Sequence, residues 1–373
     1  MLVVDSGDLF FEKDEFSEST RESALLKAHL VGRIYHHIGC DALNVGERDL
    51  ALGVGLIKDL EKKFNLPFVS ANLTDRKNIP LFRRYVLKKV NGKTVGIFGV
   101  MGDSAEMVST VKRMTRGEVM VQDTIKSAES VVKELTGKVD LVIALTHQGV
   151  GRDWVLARRV PGIDVIVGGH DKQKIAEPRR VEKTAIVQAG EKGQYLGLLQ
   201  ISFDAQAGRT QRNGLIPLAG TIADDSEVQS MIHDYLGQVT DLHGAEQKAS
   251  APPRNSASCV ACHERQIKAW HATGHAHAYD ALVKRGRQFD PDCLPCHTTR
   301  FDEPGGFSVK LQQTDLVQVQ CESCHGDASG HIRMAKPPVL GRPGKQACLT
   351  CHSPDHSPAF EKEYDRYSQK IRH

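Results

Sequence analysis

No run of apolar residues in this 373-residue chain approaches the ~20 that a membrane-spanning helix needs. Net charge is nearly absent too. Against 46 acidic residues stand 49 basic ones, a formal +3, which leaves no cationic excess for nucleic acid or an acidic membrane surface. Cysteine is scarce for most of the length. Cys40 stands alone before residue 259 and reads as a small buried hydrophobe. Methionine is scarce at the other end, where Met334 is the only one after residue 258. The front shows no basic segment, apolar stretch or small-residue cleavage site of the kind that directs export.

What is present is concentrated. Eight of the nine cysteines lie between Cys259 and Cys351, and ten of the seventeen histidines fall from His263 onward. That skew divides the chain into two regions of different chemistry. From Met1 to about Gly220, short β-rich runs alternate with helical stretches, the pattern of an α/β sandwich or doubly wound sheet. Strands are predicted at Leu2–Val4, Ala42–Val45, Pro67–Ala71, Tyr85–Val90, Thr94–Val100, Leu141–Thr146, Val165–Val167, Ala185–Gln188 and Leu196–Phe203. Helices are predicted at Ser19–His37, Val54–Phe64, Asp123–Leu135, Arg152–Arg159 and Ser226–Leu242. Asn91-Gly92 marks a tight hairpin. Gly244–Ser258, polar and carrying Pro252-Pro253, reads as a linker. Beyond it aliphatic residues are too sparse for an ordinary core, so staples are expected: disulfides, metal or covalent cofactors.

One motif recurs four times there: Cys259-Val-Ala-Cys262-His263, Cys293-Leu-Pro-Cys296-His297, Cys321-Glu-Ser-Cys324-His325 and Cys348-Leu-Thr-Cys351-His352. Two thiols three positions apart can each form a thioether to one vinyl group of a haem, and the next residue, His, is held beneath the iron. The competing readings are two Cys₄ zinc sites, which need no His after every second Cys, and a disulfide framework, which C-x-x-C pairs suit poorly. The expectation is four c-type haems with His263, His297, His325 and His352 as proximal ligands. Met334 can serve at most one iron, so mostly bis-His ligation and low potentials follow. His275, His277, His331 and His356 are the preferred distal candidates, ahead of His271 and His373.

The segment 258–373 resembles the cytochrome c-554 family of tetrahaem proteins. Trp270-His271-Ala-Thr-Gly-His275-Ala-His277, Gly305-Gly306-Phe307, Val319-Gln320-Cys321-Glu322-Ser323-Cys324-His325-Gly326 with His331, and His356-Ser-Pro carry the likeness. The resemblance implies a bacterial periplasmic electron carrier with haems packed in pairs, one of which can lack a distal ligand. An open iron would allow a second reading, reduction of a small nitrogen or sulfur oxyanion.

In the first region, acidic and imidazole side chains end successive strands: Asp5-Ser-Gly7-Asp8, Asp41-Ala-Leu-Asn-Val-Gly46-Glu47-Arg48-Asp49, Leu145-Thr146-His147 and Gly168-Gly169-His170-Asp171-Lys172. Strand C-termini are where an open α/β sheet builds its site, and mixed oxygen and nitrogen donors suit a hard or borderline divalent metal. The order of these pieces, with Ser70-Ala71-Asn72 and Val95-Gly96-Ile-Phe-Gly99, resembles the calcineurin-like metallophosphoesterases, and among them the 5′-nucleotidases. Such enzymes use two metals ~3.5–4 Å apart to activate water and clamp a phosphoryl group. The resemblance makes Asp8 the bridging carboxylate and keeps His147 and His170 as ligands. It also shows losses. The family's D-x-H is not present, G-N-H-[DE] has become Gly46-Glu47-Arg48-Asp49, and the last His of G-H-x-H has become Lys172. One divalent metal (Mn, Zn or Fe) on Asp8, Glu47, His147 and His170 is therefore expected at most.

The predicted architecture is an α/β two-sheet metallophosphoesterase-like sandwich over residues 1–222, a helix and linker over 223–257, and a mainly α/irregular multihaem cytochrome domain over 258–373. The function expected is electron transfer, with an active metal-dependent phosphohydrolase as a further alternative and no catalytic residue assigned. Expected partners are redox proteins and a small phosphate or oxyanion ligand, with no nucleic acid. Covalent haem attachment calls for an extracytoplasmic location, so a signal peptide is expected upstream of Met1.

Overall fold

The computed structural model describes residues 1–204, 208–218, 222–244, 256–303, 305–309, 314–333, 343–353 and 357–372. The chain divides into two compact units, Met1–Glu15 with Lys27–Met231, and Phe16–Leu26 with Ile232–His373. Among the described residues no helix is long and apolar enough to cross a membrane.

The strands are β1 (Val4–Asp5), β2 (Ala42–Asn44), β3 (Phe68–Val69), β4 (Leu73–Thr74), β5 (Tyr85–Val90), β6 (Lys93–Met101), β7 (Met120–Val121), β8 (Leu141–His147), β9 (Val165–Gly169), β10 (Arg179–Val181), β11 (Thr184–Val187), β12 (Tyr195–Asp204) and β13 (Gly208–Pro217). The helices up to Gly244 are α1 (Glu18–Ile38), α2 (Val54–Phe64), α3 (Ala105–Met114), α4 (Thr124–Leu135), α5 (Val150–Arg159) and α6 (Ser226–Gly244). Six strands form one sheet in the order β10-β11-β9-β8-β6-β5, and β1-β2-β3 form a second, parallel one. Two antiparallel ribbons, β4 with β7 and β12 with β13, complete the set.

β8 is buried at all seven positions, which is why Leu-Val-Ile-Ala-Leu-Thr-His shows no alternation. Both faces of its sheet are covered. On one side Phe98, Val100 and Ala144 pack with Ala128, Val131 and Leu135 of α4 and Leu156 and Ala157 of α5. On the other, Val95, Ile97, Ile143, Leu145 and Val165 meet Ala42 and Val69 of the three-stranded sheet. Each fully buried aliphatic or phenyl side chain contributes ~1.5–3 kcal/mol relative to exposure. At Gly99 the layers approach closely: a Cβ there would sit 2.3 Å from the Val69 carbonyl oxygen and 2.4 Å from Asn44 Oδ1. The hairpin at Asn91-Gly92 has φ of +50° and +76°, the left-handed pair that a tight β5–β6 connection requires.

The ends of the elements differ from the sequence expectation by a residue or two. Five elements were not anticipated, β4, β7, β10, β13 and α3. Two are two-residue strands, too short for periodicity. Cys40 is half-buried rather than buried.

The second unit is built from short helices, among them Val260–His271, Ala278–Val283, Leu294–His297, Cys321–His325, Lys345–Leu349 and Tyr364–Gln369. Its buried apolar cluster is small: Leu282, Leu294, Phe307, Val309 and Leu316. Arg300 Nη1 lies 3.2 Å from the buried Glu322 carboxylate, whose Oε1 accepts the Ala328 N–H at 2.8 Å.

Candidate functional site

In the first unit four strands converge at their C-terminal ends. The loop after β1 carries Asp8, the loop after β2 carries Glu47 and Arg48, β8 ends on His147, and His170 follows β9. The first two loops touch backbone to backbone. A Cβ on Gly7 would lie 2.4 Å from the Gly46 nitrogen, and Gly7 has φ +98°. Asp49, fully buried, ties them together: Oδ2 accepts the N–H of Asp8 and of Gly46, both at 2.9 Å, and Oδ1 accepts that of Phe10 at 3.0 Å. Burial and the neighbouring Asp8 push its carboxyl up to about 7 although the Phe10 and Gly46 N–H groups and His147 pull the other way. Sequence reasoning had placed Asp49 in a motif without giving it this work.

Glu47, His147 and His170 come together. One ligand atom from each lies within 4.8 Å of the others. His147 Nε2 is 2.8 Å from Glu47 Oε2, and His170 Nδ1 is 3.3 Å from Glu47 Oε1. His147 Nδ1 faces the Ser6 carbonyl at 2.9 Å, so the ring spends one nitrogen on the backbone and turns Nε2 to the cluster. No sequence signal could have shown this, because any residue at position 6 brings a carbonyl. Burial raises the Glu47 carboxyl, but the imidazoles of His147 and His170 outweigh it and hold it well below the usual range. For His147, burial acts against the charged ring, and Asp8 and Glu47 overcome it, so its pKa stands well above the ordinary value.

A test of fit for a metal lies in the same atoms. Glu47 Oε2 and His147 Nε2 are buried without a hydrogen-bond partner despite their 2.8 Å approach. They are out of line for a hydrogen bond, as two ligands aimed at one ion would be. Asp8 stands beside this trio. Its Oδ2 is 3.4 Å from His147 Nε2, while its Oδ1 accepts the Arg48 N–H at 2.9 Å and the Arg48 guanidinium is 3.9 Å from Oδ2. Asp8 and His170 have φ of +59° and +80°, backbone that costs energy in a non-glycine residue and is retained where the surroundings enforce it. Lys172 turns to Glu191, Nζ to Oε2 at 2.5 Å. A cleft of about 430 Å³ opens on Glu47, Arg48 and His170, walled also by Lys13 and by the carboxylates of Glu12, Asp14, Glu15 and Glu106.

In the second unit the C-x-x-C-H motifs fall on or beside single helical turns, for instance Leu294–His297 and Cys321–His325, which brings thiols at i and i+3 to one face. The Cys259 thiol lies beside that of Cys321, and the Cys296 thiol beside that of Cys351. The first motif therefore adjoins the third, and the second adjoins the fourth. His263 faces His331 with ring centres 6.1 Å apart and planes at 30°, and His275 faces His352 at 6.0 Å and 59°. An iron between two imidazoles, with metal–nitrogen bonds of ~2 Å, would set ring centres about 6 Å apart. His297 Nδ1 is 2.6 Å from the Ala278 carbonyl and His352 Nδ1 is 3.0 Å from the Ser357 hydroxyl, which leaves Nε2 of each for an axial bond. These residues fit haem. His277 is two-thirds exposed, with Nδ1 3.4 Å from Asp280. His271 lies against Trp270. Met334, His356 and His373 lie outside the described residues.

Comparison with known proteins gives the two regions separate kin. Residues 258–326 match the family model described as cytochrome c554 and c-prime, a stretch that takes in the first three motifs. The N-terminal region is homologous to 5′-nucleotidases and calcineurin-like phosphoesterases. It is 28% identical to the 5′-nucleotidase of Bos taurus over 261 residues, 63% of this chain and 44% of that protein. It is 30% identical to the trifunctional nucleotide phosphoesterase YfkN of Bacillus subtilis over 286 residues, 65% of this chain and 19% of that one. The chain thus spans less than half the length of these relatives. Among solved structures, the sulfate thiohydrolase SoxB of Thermus thermophilus aligns over 64% of this chain and 43% of its own at TM-score 0.55 and 23% identity. The Bacillus subtilis YfkN structure aligns over 65% and 84% at 0.53 and 20%. Both show the fold, the α/β one expected.

Proposed function

We propose that this chain is an extracytoplasmic electron carrier. Residues 258–373 carry four c-type haems, most of them bis-His. Residues 1–222 form a phosphoesterase-fold domain that keeps a one-metal site, and 223–257 join the two. The observation that carries the reading is the pair of facing imidazoles, His263 with His331 and His275 with His352, each at the separation an intervening iron needs. In this reading His331 is the distal partner of the first motif and His275 that of the fourth. The haem supplies an iron that takes up and gives back one electron. The chain supplies the rest: Cys259, Cys262, Cys293, Cys296, Cys321, Cys324, Cys348 and Cys351 for covalent attachment, and His263, His297, His325 and His352 as proximal ligands. The Ala278 carbonyl and the Ser357 hydroxyl orient His297 and His352. The thiol contacts between motifs support haems in two close pairs, first with third and second with fourth. Redox proteins are the partners, and the periplasm is the place where such attachment occurs.

In the first domain Glu47, His147 and His170, with Asp8 alongside, would hold one divalent ion, which supplies Lewis acidity to a small phosphate or oxyanion in the cleft. A second reading, nucleotide hydrolysis, draws on the homology to 5′-nucleotidases. Against it stand Arg48 bound to Asp8, and Lys172 turned to Glu191 where the family has a ligand.

The test is a pyridine haemochrome assay with intact mass, on chain exported behind a signal peptide in a host that matures c-type cytochromes. Four covalent haems per chain are expected. Bound zinc without haem would overturn the reading.

A further inference from the structure

Aromatic rings lead from the fourth haem motif to the surface of the second unit. Resting on the haem reading above, we infer that the stack of His352, Phe360 and Tyr367 links the fourth haem to a basic surface around Tyr364 and Tyr367, where an acidic one-electron carrier protein docks.

The rings come first. Phe360, Tyr364 and Tyr367 follow one another at intervals of four and three, the spacing that sets side chains side by side on a helical segment. Tyr364–Gln369 is such a helix. The stripe folds onto the fourth motif. The His352 imidazole lies on the Phe360 ring with centres 4.2 Å apart and planes at 8°. Phe360 stacks in turn with Tyr367 at 5.4 Å and 28°, and meets Tyr364 edge-on at 6.0 Å and 75°. Phe360 is buried, and both tyrosines are half-buried. Three rings in succession therefore run from a proximal ligand to solvent. Tunnelling weakens steeply with every gap between bonded groups, and a run of stacked rings keeps the gaps small. Bis-His haems sit at low potential, too low to oxidise a tyrosine, so the rings pass the electron without being oxidised themselves.

The charges come second. Lys345 Nζ stands 5.9 Å from the centre of the Tyr364 ring and Lys370 Nζ 5.5 Å from that of Tyr367. Two carboxylates nearby are already matched: Glu361 lies 3.6 Å from Lys345, and Glu363 lies 2.6 Å from Arg366. What remains on residues 360–372 is Lys362, Lys370 and Arg372 against Asp365, all four exposed. In a chain that is close to neutral overall, the end of the ring stack is thus locally cationic. Cations around a contact patch steer an anionic partner to it and speed the encounter. Tyrosine suits the centre of such a patch, with an apolar ring to bury and a hydroxyl for the wet rim.

The step is a single electron exchange. With a flavin carrier as donor, the anionic hydroquinone gives one electron and becomes the neutral semiquinone, and the ferric fourth haem becomes ferrous. No proton or bond changes hands in the chain.

The experiment uses the full chain with its haems and, as probe, the hydroquinone of a flavodoxin, an acidic one-electron carrier. Stopped-flow absorbance follows haem reduction at about 20 mM and about 500 mM salt. The rate at low flavodoxin reads docking, and the plateau at high flavodoxin reads the electron step. In the unsubstituted chain the low-flavodoxin rate should fall by about 10-fold or more between the two salts. Reversing three charges together, Lys362→Glu with Lys370→Glu and Arg372→Glu, should lower the low-salt rate by about 10-fold or more and abolish that salt dependence. Tyr367→Leu should at least halve the plateau and keep the salt dependence. Pyridine haemochrome and the low-spin EPR signal of the His275–His352 haem verify that each variant is intact. Intact haems with unaltered rates in both variants would overturn the docking surface and leave the haem reading standing. A loss on charge reversal with an unaltered plateau in Tyr367→Leu would overturn the ring path. A chain without covalent haem would overturn both the surface and the haem reading.

Discussion

Arg48 holds Asp8 away from full commitment to the metal trio: its N–H donates to Asp8 Oδ1 at 2.9 Å, and its guanidinium stands 3.9 Å from Oδ2. A carboxylate shared in this way contributes charge to the site more than a bond. Asp8→Asn should therefore weaken binding of a divalent ion by ~10-fold, the size of an outer-shell loss. His170→Gly, which removes one of the trio, should weaken it by more than ~100-fold. Chelator competition on the full chain measures both. Equal losses would mean that Asp8 is a ligand of the same rank as His170.

The facing imidazoles give a second expectation. If iron sits between His263 and His331 and between His275 and His352, then His331→Ala and His275→Ala each convert one low-spin haem to high spin. Haem content stays at the wild-type value, because attachment is through the cysteines. The double variant converts two. His277→Ala, at a two-thirds exposed residue, should leave both pairs intact. EPR and the visible spectrum of the oxidised protein read this directly. An unchanged spectrum in His331→Ala would sink the pairing.

The legible parts of the molecule were those where chemistry repeats or burial is continuous. β6 and β8 declared themselves as long apolar runs because both faces of their sheet are covered. β4 and β7 could not, since two residues carry no period. β13 could not either, because Gly208–Pro217 is largely polar and pairs only with β12. α3 buries just Met107 and Val111, too thin a stripe to stand out among its Ser and Thr. At the candidate site, Glu47, His147 and His170 were visible as polar residues ending apolar strands. Which groups hold them was not. The Ser6 carbonyl on His147 has no residue identity, and the three N–H groups on Asp49 belong to main chain. The C-x-x-C-H spacing alone marks His263, His297, His325 and His352 as the expected proximal ligands. The facing partners are far away in sequence, so only the folded chain pairs His275 with His352.

Stability of the second unit should depend on one ion pair. Arg300 and Glu322 are 13% and 7% exposed and 3.2 Å apart. Removing the guanidinium leaves a buried carboxylate without its cation, a loss of roughly 3 kcal/mol or more. Arg300→Ala should lower the midpoint of thermal unfolding of the haem-loaded chain. Replacing both partners with apolar residues of similar volume should recover most of the loss. If Arg300→Ala matches the wild type, the pair is not buried in solution.

Asp153 gives the first unit a pH dependence of definite sign. Its carboxyl is fully buried at the start of α5, where Oδ1 accepts from Gln148 Nε2 at 2.9 Å. Burial pushes its pKa up to about 6, against an ordinary 3.8. The folded state therefore binds this proton more tightly than the unfolded chain does. The stabilisation is complete below the unfolded value and is lost as pH rises through about 6, a swing of about 3 kcal/mol at most. Asparagine keeps an oxygen for the Gln148 amide and has no proton to lose. Asp153→Asn should flatten the fall in unfolding free energy between about pH 4 and 6. At neutral pH, where the wild type carries a buried carboxylate, the variant should be more stable by ~1–3 kcal/mol. Denaturant unfolding across that range, followed by a probe in the first unit, decides it. A variant that loses stability at neutral pH would mean that the ionised carboxylate has a cationic or water partner strong enough to outweigh its burial.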